Sequence, residues 1–237
     1  MRTYIAIIRD HSGSMRSLST GAINDYNLTI EGIKESVLLE NQEAFISVVE
    51  CGVGYAGTTR KVESQTPLET LKPLTTYAAN GGATPLWDSV GLAINDLESN
   101  INIRKEDAFL VMVITDGAEN SSRLWNANSI RNKIAQLQST DKWTFVFRVP
   151  RGQKNTMLRV GIPEGNVMEW EQTETALVQS TQTTVSAVKT YFADRSKGVT
   201  RSSSFFTADL SNVKRSDISN NMSDVTNTMR VVWVDKN

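Results

Sequence analysis

The sequence predicts an α/β fold in which helices cover both faces of a mostly parallel sheet. Three observations support this prediction: short apolar runs rich in β-branched residues, helical patterns between those runs, and a length sufficient for a full core. Strands that alternate with amphipathic helices are typical of parallel sheets. At 237 residues the chain can form one domain of about 200 residues and a short appendage.

Four apolar runs are the predicted strands: Tyr4–Ile8, Ala44–Cys51, Ala108–Thr115 and Thr144–Val149. The last three runs are almost continuously apolar, which is typical of strands covered on both faces. Apolar residues spaced by three and four predict the helices between them. The predicted helical faces are Ile23, Tyr26, Ile30, Ile33 and Val37; Leu86, Val90, Ile94, Leu97 and Ile101; Ile130, Ile134 and Leu137; and, more weakly, Leu177, Thr181, Val185, Val188 and Phe192.

A glycine-rich segment follows the second strand and matches the pattern G-x-G-x-x-G at Gly52, Gly54 and Gly57. Such glycines bind dinucleotides when a helix comes next, but the following segment "TTRKVESQTP" has no helical period and reaches a proline. Its first part, Thr58–Val62, alternates apolar and polar residues. We therefore interpret the segment as a hairpin that leads into an antiparallel edge strand.

Composition argues against several kinds of site and partner. The formal net charge is −1, so the chain has no overall positive field that would attract nucleic acid or anionic lipid. The single cysteine and the single histidine exclude an internal disulfide and make a zinc site implausible. The first residues lack the pattern of a secretory signal, and no apolar stretch approaches about 18 residues. We expect a cytoplasmic protein.

The character of the sequence changes at Gly198, and we predict a domain over residues 1–197 and a C-terminal extension over residues 198–237. The extension begins with a polar, serine-rich stretch. A short helix carrying Ile218, Met222 and Val225 and a strand, "MRVVWV", are predicted after it. A strand with no partner after it favours the start of a truncated second domain over a return to the main sheet.

Five oxygen-bearing side chains lie where predicted strands end or a predicted helix begins. Asp10, Ser12 and Ser14 follow the first strand, Asp116 follows the strand that ends at residue 115, and Thr84 precedes a helix. Doubly wound sheets bind ligands beyond the carboxyl ends of strands, where the strand order reverses. If the two strands are neighbours there, the five side chains meet. Two carboxylates and three hydroxyls form an oxygen set suited to Mg²⁺ or Mn²⁺.

These residues resemble the metal-ion-dependent adhesion site (MIDAS) of von Willebrand factor type A (vWA) domains. That motif has the form Asp-x-Ser-x-Ser, then a distant Thr, then a distant Asp after a later strand. Here "DHSGSM", "GGATPL" and "ITDG" carry the five positions in order, and the resemblance extends over roughly residues 1–195. The segments "TFVFRVPRG", "GIPEGNVMEWEQTE" and "YFADRSKG" also resemble a bacterial and phage subgroup in which the tail leads into a further domain.

The pattern and the resemblance together predict a Rossmann-like doubly wound sandwich. Its central sheet has six strands in the order 3-2-1-4-5-6, five of them parallel and the edge strand after the hairpin antiparallel. The resemblance implies that Ser12 and Ser14 contact Mg²⁺ or Mn²⁺ directly, and that Thr84 does so directly or through water. It also implies that Asp10 and Asp116 act largely through hydrogen bonds and bridging waters. A glutamate or aspartate of a protein partner would complete the metal's shell.

Each site residue also has a simpler explanation. The Asp and Ser residues after the first strand could cap a helix, which is worth about 1 kcal/mol per cap. The Asp-Gly pair at 116–117 could form a turn, and Thr84 could be the N-cap of a helix that begins with proline. Capping and metal coordination are compatible, so these explanations do not exclude the site.

Three residues are predicted to border the site as partner-binding positions: His11, Glu119 and Trp125. We expect His11 on an exposed loop, either without a ligand role or in contact with a partner. Arg9 departs from the resembled family, which has an apolar residue there. Strand alternation should direct Arg9 away from Asp10, and we expect an ion pair with a carboxylate on a flanking helix.

Two other function classes stay open as alternatives. A metal-dependent hydrolase would need a base near the ion, for which Glu119 is the nearby candidate. The segment around Ser12 lacks the glycine of a nucleophile elbow, and His11 is too close in sequence to act as its base. A nucleic-acid role through an appended region would use a thin scatter of basic residues: Arg195, Lys197, Arg201, Lys214 and Arg215.

Overall fold

The computed structural model describes residues 1–100 and 102–207, in which a six-stranded sheet lies between two layers of helices. The strands are β1 (Arg2–Asp10), β2 (Glu43–Val53), β3 (Thr58–Pro67), β4 (Ala108–Ile114), β5 (Trp143–Pro150) and β6 (Val167–Trp170). The α-helices are α1 (Ser19–Leu39), α2 (Leu86–Glu98), α3 (Ala127–Gln138), α4 (Lys154–Arg159) and α5 (Glu174–Ser196). Short 3₁₀ helices cover Gly13–Leu18, Leu68–Thr70 and Glu164–Asn166.

The strand order is β3-β2-β1-β4-β5-β6, and only the β2–β3 pair is antiparallel. The predicted fold class and sheet order are therefore confirmed. All the predicted strands and helical faces with described residues fall on observed elements. Ile101 and the predicted helix and strand near the C-terminus lie outside the described residues.

The sequence did not locate β6, because a strand of four residues is too short to show a periodic pattern. The edge strand is also longer than the predicted Thr58–Val62 and continues to Pro67, with irregular register against β2. Gln65 adopts a positive φ of 46°, and its backbone N–H donates to Ser47 Oγ at 2.9 Å. The Ser47 side chain thus takes the place of a backbone acceptor on β2. The pairing of β2 with β3 therefore continues beyond the residues whose apolar and polar side chains alternate.

Side chains of β1 alternate between the two helix layers and explain why the strand is buried on both faces. Ile5 and Ile7 pack in the core that contains residues of α1 and α5. Tyr4, Ala6 and Ile8 pack in the core that contains residues of α2 and α3. A central strand covered on both sides places its carboxyl end, at Asp10, in the middle of the sheet edge.

The glycine-rich segment is a hairpin, as predicted, and β3 rather than a helix follows it. Gly52, Gly54 and Gly57 have φ values of 73°, 67° and 59°, in the left-handed region that favours glycine. The hairpin also packs closely on the loop before α2. A Cβ on Gly81 would collide with the Gly52 carbonyl, so glycine at 81 is what lets these two loops approach.

Residues 198–207, the first part of the predicted extension, pack on the domain beside β5 and β6. The backbone N–H of Ser202 donates to Thr144 Oγ1 at 2.9 Å, and that of Phe205 donates to Asn166 Oδ1 at 2.9 Å. Phe205 is buried near Tyr191. The domain core therefore includes residues beyond 197, while the predicted second domain falls on residues outside the described ranges.

Candidate metal centre

Four of the five predicted site residues meet where β1 and β4 end side by side. Asp10 is the last residue of β1, and Asp116 follows β4 by two positions. Ser12 and Ser14 lie in the turn and 3₁₀ helix after β1. The Ser14 hydroxyl donates to Asp116 Oδ1 at 2.7 Å, and the Ser12 and Ser14 Oγ atoms are 3.0 Å apart. These contacts exist because β1 and β4 are parallel neighbours in the sheet.

Thr84 approaches the same place from the loop before α2. A Cβ on Gly117 would lie 3.0 Å from Thr84 Oγ1 and 3.8 Å from Asp10 Oδ2, so both oxygens face the space that this glycine leaves open. Two hydrogen bonds hold the loop there, from the Thr84 N–H to Asn120 Oδ1 at 2.8 Å and from the Asn120 N–H to the Thr84 carbonyl at 3.2 Å. The structure thus brings all five side chains together, and their role as metal ligands stays a prediction.

Hydrogen bonds fix the orientation of the Asp10 carboxylate. Its Oδ1 accepts the N–H of Ser12 at 2.8 Å, and its Oδ2 accepts the Thr115 hydroxyl at 2.5 Å. The Tyr77 hydroxyl donates to the Asp10 carbonyl, and the Gln172 amide donates to the carbonyl of Asp116. Sequence reasoning missed Thr115, Tyr77 and Gln172. Only Thr115, inside "ITDG", had a signal in its position beside a motif residue.

The Asp116 carboxylate is only partly satisfied within the described residues. Asp116 is 2% exposed, and its Oδ1 accepts from Ser14, but its Oδ2 is buried without a hydrogen-bond partner. Leaving a buried carboxylate oxygen unpartnered is unfavourable by several kcal/mol unless a donor or a cation meets it. A divalent cation beside Ser12, Ser14 and Asp116 would supply that missing interaction.

The simpler capping explanations do not account for the hydroxyls. Ser12 stands at the N-cap of the 3₁₀ helix, but its side chain makes no capping hydrogen bond. Thr84 is not the N-cap of α2, since that position is Pro85. The N–H of Leu86, the first residue of α2, donates to the Thr84 carbonyl at 2.9 Å. The next two N–H groups reach the neighbouring loop, from Trp87 to Glu119 Oε2 at 2.9 Å and from Asp88 to Ser122 Oγ at 3.1 Å. The Ser12 and Thr84 hydroxyls are therefore not used as caps.

The expectation of an exposed His11 is wrong, because the chain keeps pairing after β1 ends. The His11 N–H donates to the Cys51 carbonyl at 2.7 Å, and the His11 carbonyl accepts the N–H of Gly81 at 3.0 Å. The residue is 4% exposed, its ring stacks on Tyr77 with centroids 4.3 Å apart, and its Nδ1 lies 2.9 Å from the Ala78 carbonyl. Burial lowers the pKa of His11. His11 is thus a buried residue that packs on Tyr77 next to the site, and it has almost no exposed surface for a partner to contact.

Glu119 and Trp125 lie on the loop between β4 and α3, beside the site, and both are half-buried. The Glu119 carboxylate accepts the N–H groups of Trp87, Ser121 and Ser122, so it anchors this loop to α2. Trp125 packs on α2, where a Cβ on Gly91 would collide with the indole. Their predicted role as partner contacts stays a prediction, and their observed contacts hold the loop in place.

Arg9 forms the expected ion pair, but the carboxylate is on a neighbouring strand rather than on a helix. Arg9 NH2 lies 2.9 Å from Glu50 Oε1, because Arg9 and Glu50 are paired positions of parallel β1 and β2 and point to the same face. The guanidinium also lies over the Tyr26 ring of α1, 4.6 Å from its centroid. The side chain thus faces the layer of α1 and α5.

The Asp116 carboxyl predicts a pH dependence of stability when metal is removed. Burial raises its pKa to about 6 from an ordinary value of 3.8. The folded state therefore holds this proton more tightly than the unfolded state, and stability falls as pH rises between these two values. The measurement is urea unfolding of wild type and Asp116→Asn in EDTA. Between pH 3.8 and about 6, the free energy of unfolding of wild type minus that of the variant is expected to fall by about 1–2 kcal/mol. A difference that stays constant or increases with pH would contradict this assignment.

Comparison with known proteins shows similarity in fold and not in sequence. The chain matches no protein-family model and no curated protein. Proximal thread matrix protein 1 from the mussel byssus is 14% identical, with a TM-score of 0.52 over 78% of this chain and 48% of that chain. The pilus adhesin SpaC from Lactobacillus rhamnosus GG, in its open conformation, is 9% identical, with a TM-score of 0.57 over 80% of this chain and 30% of that chain. The SpRpn10 VWA domain is 9% identical, with a TM-score of 0.50 over 77% of this chain and 94% of that chain.

At these identities the comparisons establish the fold. The strand order, the single antiparallel pair and the helices on both faces are those of a vWA domain. The chain spans about half the length of the mussel chain and under a third of the adhesin chain. None of the helices in the described ranges combines the length and apolar character needed to cross a membrane.

Proposed function

We propose that this vWA-type domain is a divalent-metal-dependent protein-binding module, and that its partner supplies an acidic side chain to the metal. The observation that carries the proposal is that five oxygen-bearing side chains meet beyond the ends of β1 and β4, where Asp116 Oδ2 is buried and no described residue hydrogen-bonds it. A fold alone does not choose a function. The chemistry of these side chains is what favours a metal-dependent function.

The donor set fits Mg²⁺ or Mn²⁺. Both are hard cations that prefer oxygen ligands. Within the described residues no three His, Cys, Asp or Glu side chains form a metal-holding group, so the hydroxyls of Ser12, Ser14 and Thr84 are needed to complete the set. Ser14 is exposed, which leaves a path for an outside ligand. Asp10 and Asp116 contribute the negative charge that balances the cation.

A bound divalent cation would supply a positive charge that attracts a carboxylate from outside. The protein's own residues do the rest. Ser12 and Ser14 would hold the ion through their hydroxyls, and Asp10, fixed by Ser12 and Thr115, would orient that shell. Because only two side chains of the set are anionic, the cation's charge is not overcompensated. An acidic side chain can therefore still be attracted to it.

The contacts of the two bases considered for a hydrolase argue for binding rather than catalysis. The His11 ring stacks on Tyr77, with Nδ1 2.9 Å from the Ala78 carbonyl and Nε2 3.5 Å from Glu50 Oε1. Both oxygens of Glu119 already accept N–H groups. Neither is therefore disposed to activate water or Ser12. Among the solved structures of similar fold, one is called a matrix protein and another an adhesin, which accords with a binding role.

The basic residues considered for a nucleic-acid role offer little support for it. Arg195 is fully buried, and its guanidinium donates to the carbonyls of Arg2, Glu106 and Val199. Lys197 pairs with Asp194 at 3.0 Å. Lys214 and Arg215 lie outside the described ranges. A surface of phosphate-binding cations is thus not supported by the residues near Gly198.

Partner capture in Mg²⁺ and in EDTA tests the proposed function. Immobilised full chain is expected to retain a protein from an extract of its native cells in Mg²⁺ and to release it in EDTA. Asp116→Asn should fail to retain it. Asp194→Asn is the matched control, because it makes the same replacement next to Arg195, which contacts the start of β1, whereas the site lies at the other end of that strand. It should retain the partner as wild type does. A partner held equally in Mg²⁺ and EDTA would defeat the metal bridge.

A further inference from the structure

Two large apolar side chains stand almost fully exposed on the face that carries the candidate metal centre. Tyr55 is 98% exposed at the tip of the β2–β3 hairpin, and Leu124 is 87% exposed on the loop between β4 and α3. Single exposed apolar residues are ordinary on protein surfaces. Tyr55 and Leu124 differ from such residues because hydrogen bonds fix the backbone that carries each of them, and because the loop of Thr84 lies between those two segments.

Hydrogen bonds hold the hairpin tip that carries Tyr55. The Gly57 N–H donates to the Gly54 carbonyl at 2.9 Å and closes the turn. The Gly54 N–H donates to Asn80 Oδ1 at 3.1 Å, and the Gly82 N–H donates back to the Gly54 carbonyl at 3.2 Å. The tip is therefore fixed to the loop that ends at Thr84, with the Tyr55 side chain in solvent.

Asp88, in the first turn of α2, holds the loop that carries Leu124. Its carboxylate accepts the N–H groups of Arg123, Leu124 and Trp125 at 2.8–2.9 Å. Trp125, the next residue, packs on α2 at Gly91. The backbone at Leu124 is thus fixed on both sides while its side chain projects outward. A loop that becomes ordered only on binding loses conformational entropy, which weakens binding. The loop that carries Leu124 is already ordered before a partner binds.

Thr84 of the candidate metal centre lies between these two supports. The hairpin tip is bonded to residue 82, and the loop after β4 is bonded to Thr84 through Asn120. Tyr55 and Leu124 are thus carried by the two segments that are bonded to the loop of Thr84. Tyrosine is enriched among the residues that dominate the binding energy of protein interfaces, and burying Leu124 against a partner would add apolar contact area.

Two exposed arginines on this face are available to an acidic partner. Arg16 and Arg123 are exposed, and within residues 1–100 and 102–207 neither forms an ion pair. The nearby carboxylates of Asp88 and Glu119 keep their negative charge, but they are directed at backbone N–H groups of the protein. Arg16 and Arg123 are therefore the exposed cations at this border for which a partner's carboxylates can serve as counter-ions.

We propose that the partner presents an acidic peptide segment in which the metal-binding carboxylate is flanked on both sides by apolar side chains. Tyr55 and Leu124 are the specificity-determining contacts for those flanking residues, and Arg16 and Arg123 favour additional acidic residues. This inference rests on the proposed metal-dependent binding function and names the kind of partner it selects.

Selection from a random peptide library tests this inference. The probe is a library with one fixed central Glu and random residues on either side, bound to the full chain in Mn²⁺ and eluted with EDTA. We expect aromatic or aliphatic residues to be enriched next to the Glu. A selected peptide should bind Tyr55→Ser and Leu124→Ser at least about tenfold more weakly than wild type, with Mn²⁺ affinity by calorimetry unchanged.

Leu39→Ser is the matched control, because Leu39 is also exposed but ends α1 before the start of β2, at the opposite end of the sheet. It should bind the peptide as wild type does. Metal-dependent peptides without apolar enrichment, or equal binding by both serine variants, would overturn the inference and leave the proposed function standing. No uptake of Mn²⁺ by the wild type would instead overturn the proposed function, and the inference with it.

Discussion

Replacing Asp10 with asparagine is expected to weaken Mn²⁺ binding about 10- to 100-fold, while the fold is retained. An asparagine oxygen can still accept the Ser12 N–H, and its amide can donate to the Thr115 hydroxyl, so the local hydrogen bonds survive. The variant loses one of two negative charges near the ion, and its amide presents a donor where the carboxylate presented an acceptor. Titration calorimetry with Mn²⁺ measures the effect.

The control for this experiment is Asp194→Asn, which removes one carboxylate near the carboxyl end of α5. It should bind Mn²⁺ with wild-type affinity. Thermal unfolding in EDTA should give Asp10→Asn a midpoint no lower than that of wild type, because removing the Asp10 charge relieves repulsion with Asp116. Identical Mn²⁺ titrations for wild type and Asp10→Asn would count against the site.

Replacing Arg148 with methionine is expected to destabilise the protein by about 3–5 kcal/mol, a large part of the total for a domain of this size. Arg148 on β5 donates to Asp25 Oδ1 on α1 at 2.7 Å and to Thr184 Oγ1 on α5 at 3.1 Å. Both charged side chains are buried, so the single replacement leaves Asp25 as an uncompensated charge in the interior. Urea unfolding measures the loss.

The double variant Asp25→Asn/Arg148→Met separates this explanation from simple loss of packing. It removes both charges and should be more stable than Arg148→Met alone. Arg151→Met is the exposed counterpart, since Arg151 pairs with Glu171 at the surface and its loss should change stability by less than about 1 kcal/mol. A double variant that loses as much as the sum of the two single variants would refute the account of the buried pair.

The five side chains of the candidate site could be predicted from sequence because each is next to a strong local signal. Asp10 and Asp116 follow apolar runs long enough to identify as strands, and Thr84 precedes a clear helical period. Once the sheet order is fixed, the ends of β1 and β4 must be adjacent. The apolar runs of the sequence therefore predict which segments form strands, and the polar residues after each run predict where the strands end.

The supporting residues could not be predicted in the same way, because their contacts join distant parts of the chain. Tyr77 reaches the Asp10 carbonyl across 67 positions, and Asn120 holds Thr84 across 36. His11 was misjudged because the backbone hydrogen bonds to Cys51 and Gly81 that bury it have no local signature. Such contacts depend on tertiary packing, which periodicity does not report.

The error on Arg9 has a related cause. Strand alternation predicts the face of the sheet to which the Arg9 side chain points, but it does not predict which carboxylate lies beside it. Glu50 is the partner because the register of β1 against β2 places it opposite Arg9. Register depends on both strands and the connection between them. The same limit applies to β6, whose four residues form a strand only because β5 offers a paired edge.

A crystal of the full chain grown in Mn²⁺, with anomalous scattering recorded at the manganese edge, tests the central claim most directly. We predict one anomalous peak at about 2.0–2.3 Å from both Ser12 Oγ and Ser14 Oγ, beside the buried Asp116 Oδ2 that no described residue hydrogen-bonds. An ordered crystal without a peak at that place, with the two serine hydroxyls still bonded to each other and to Asp116, would contradict it.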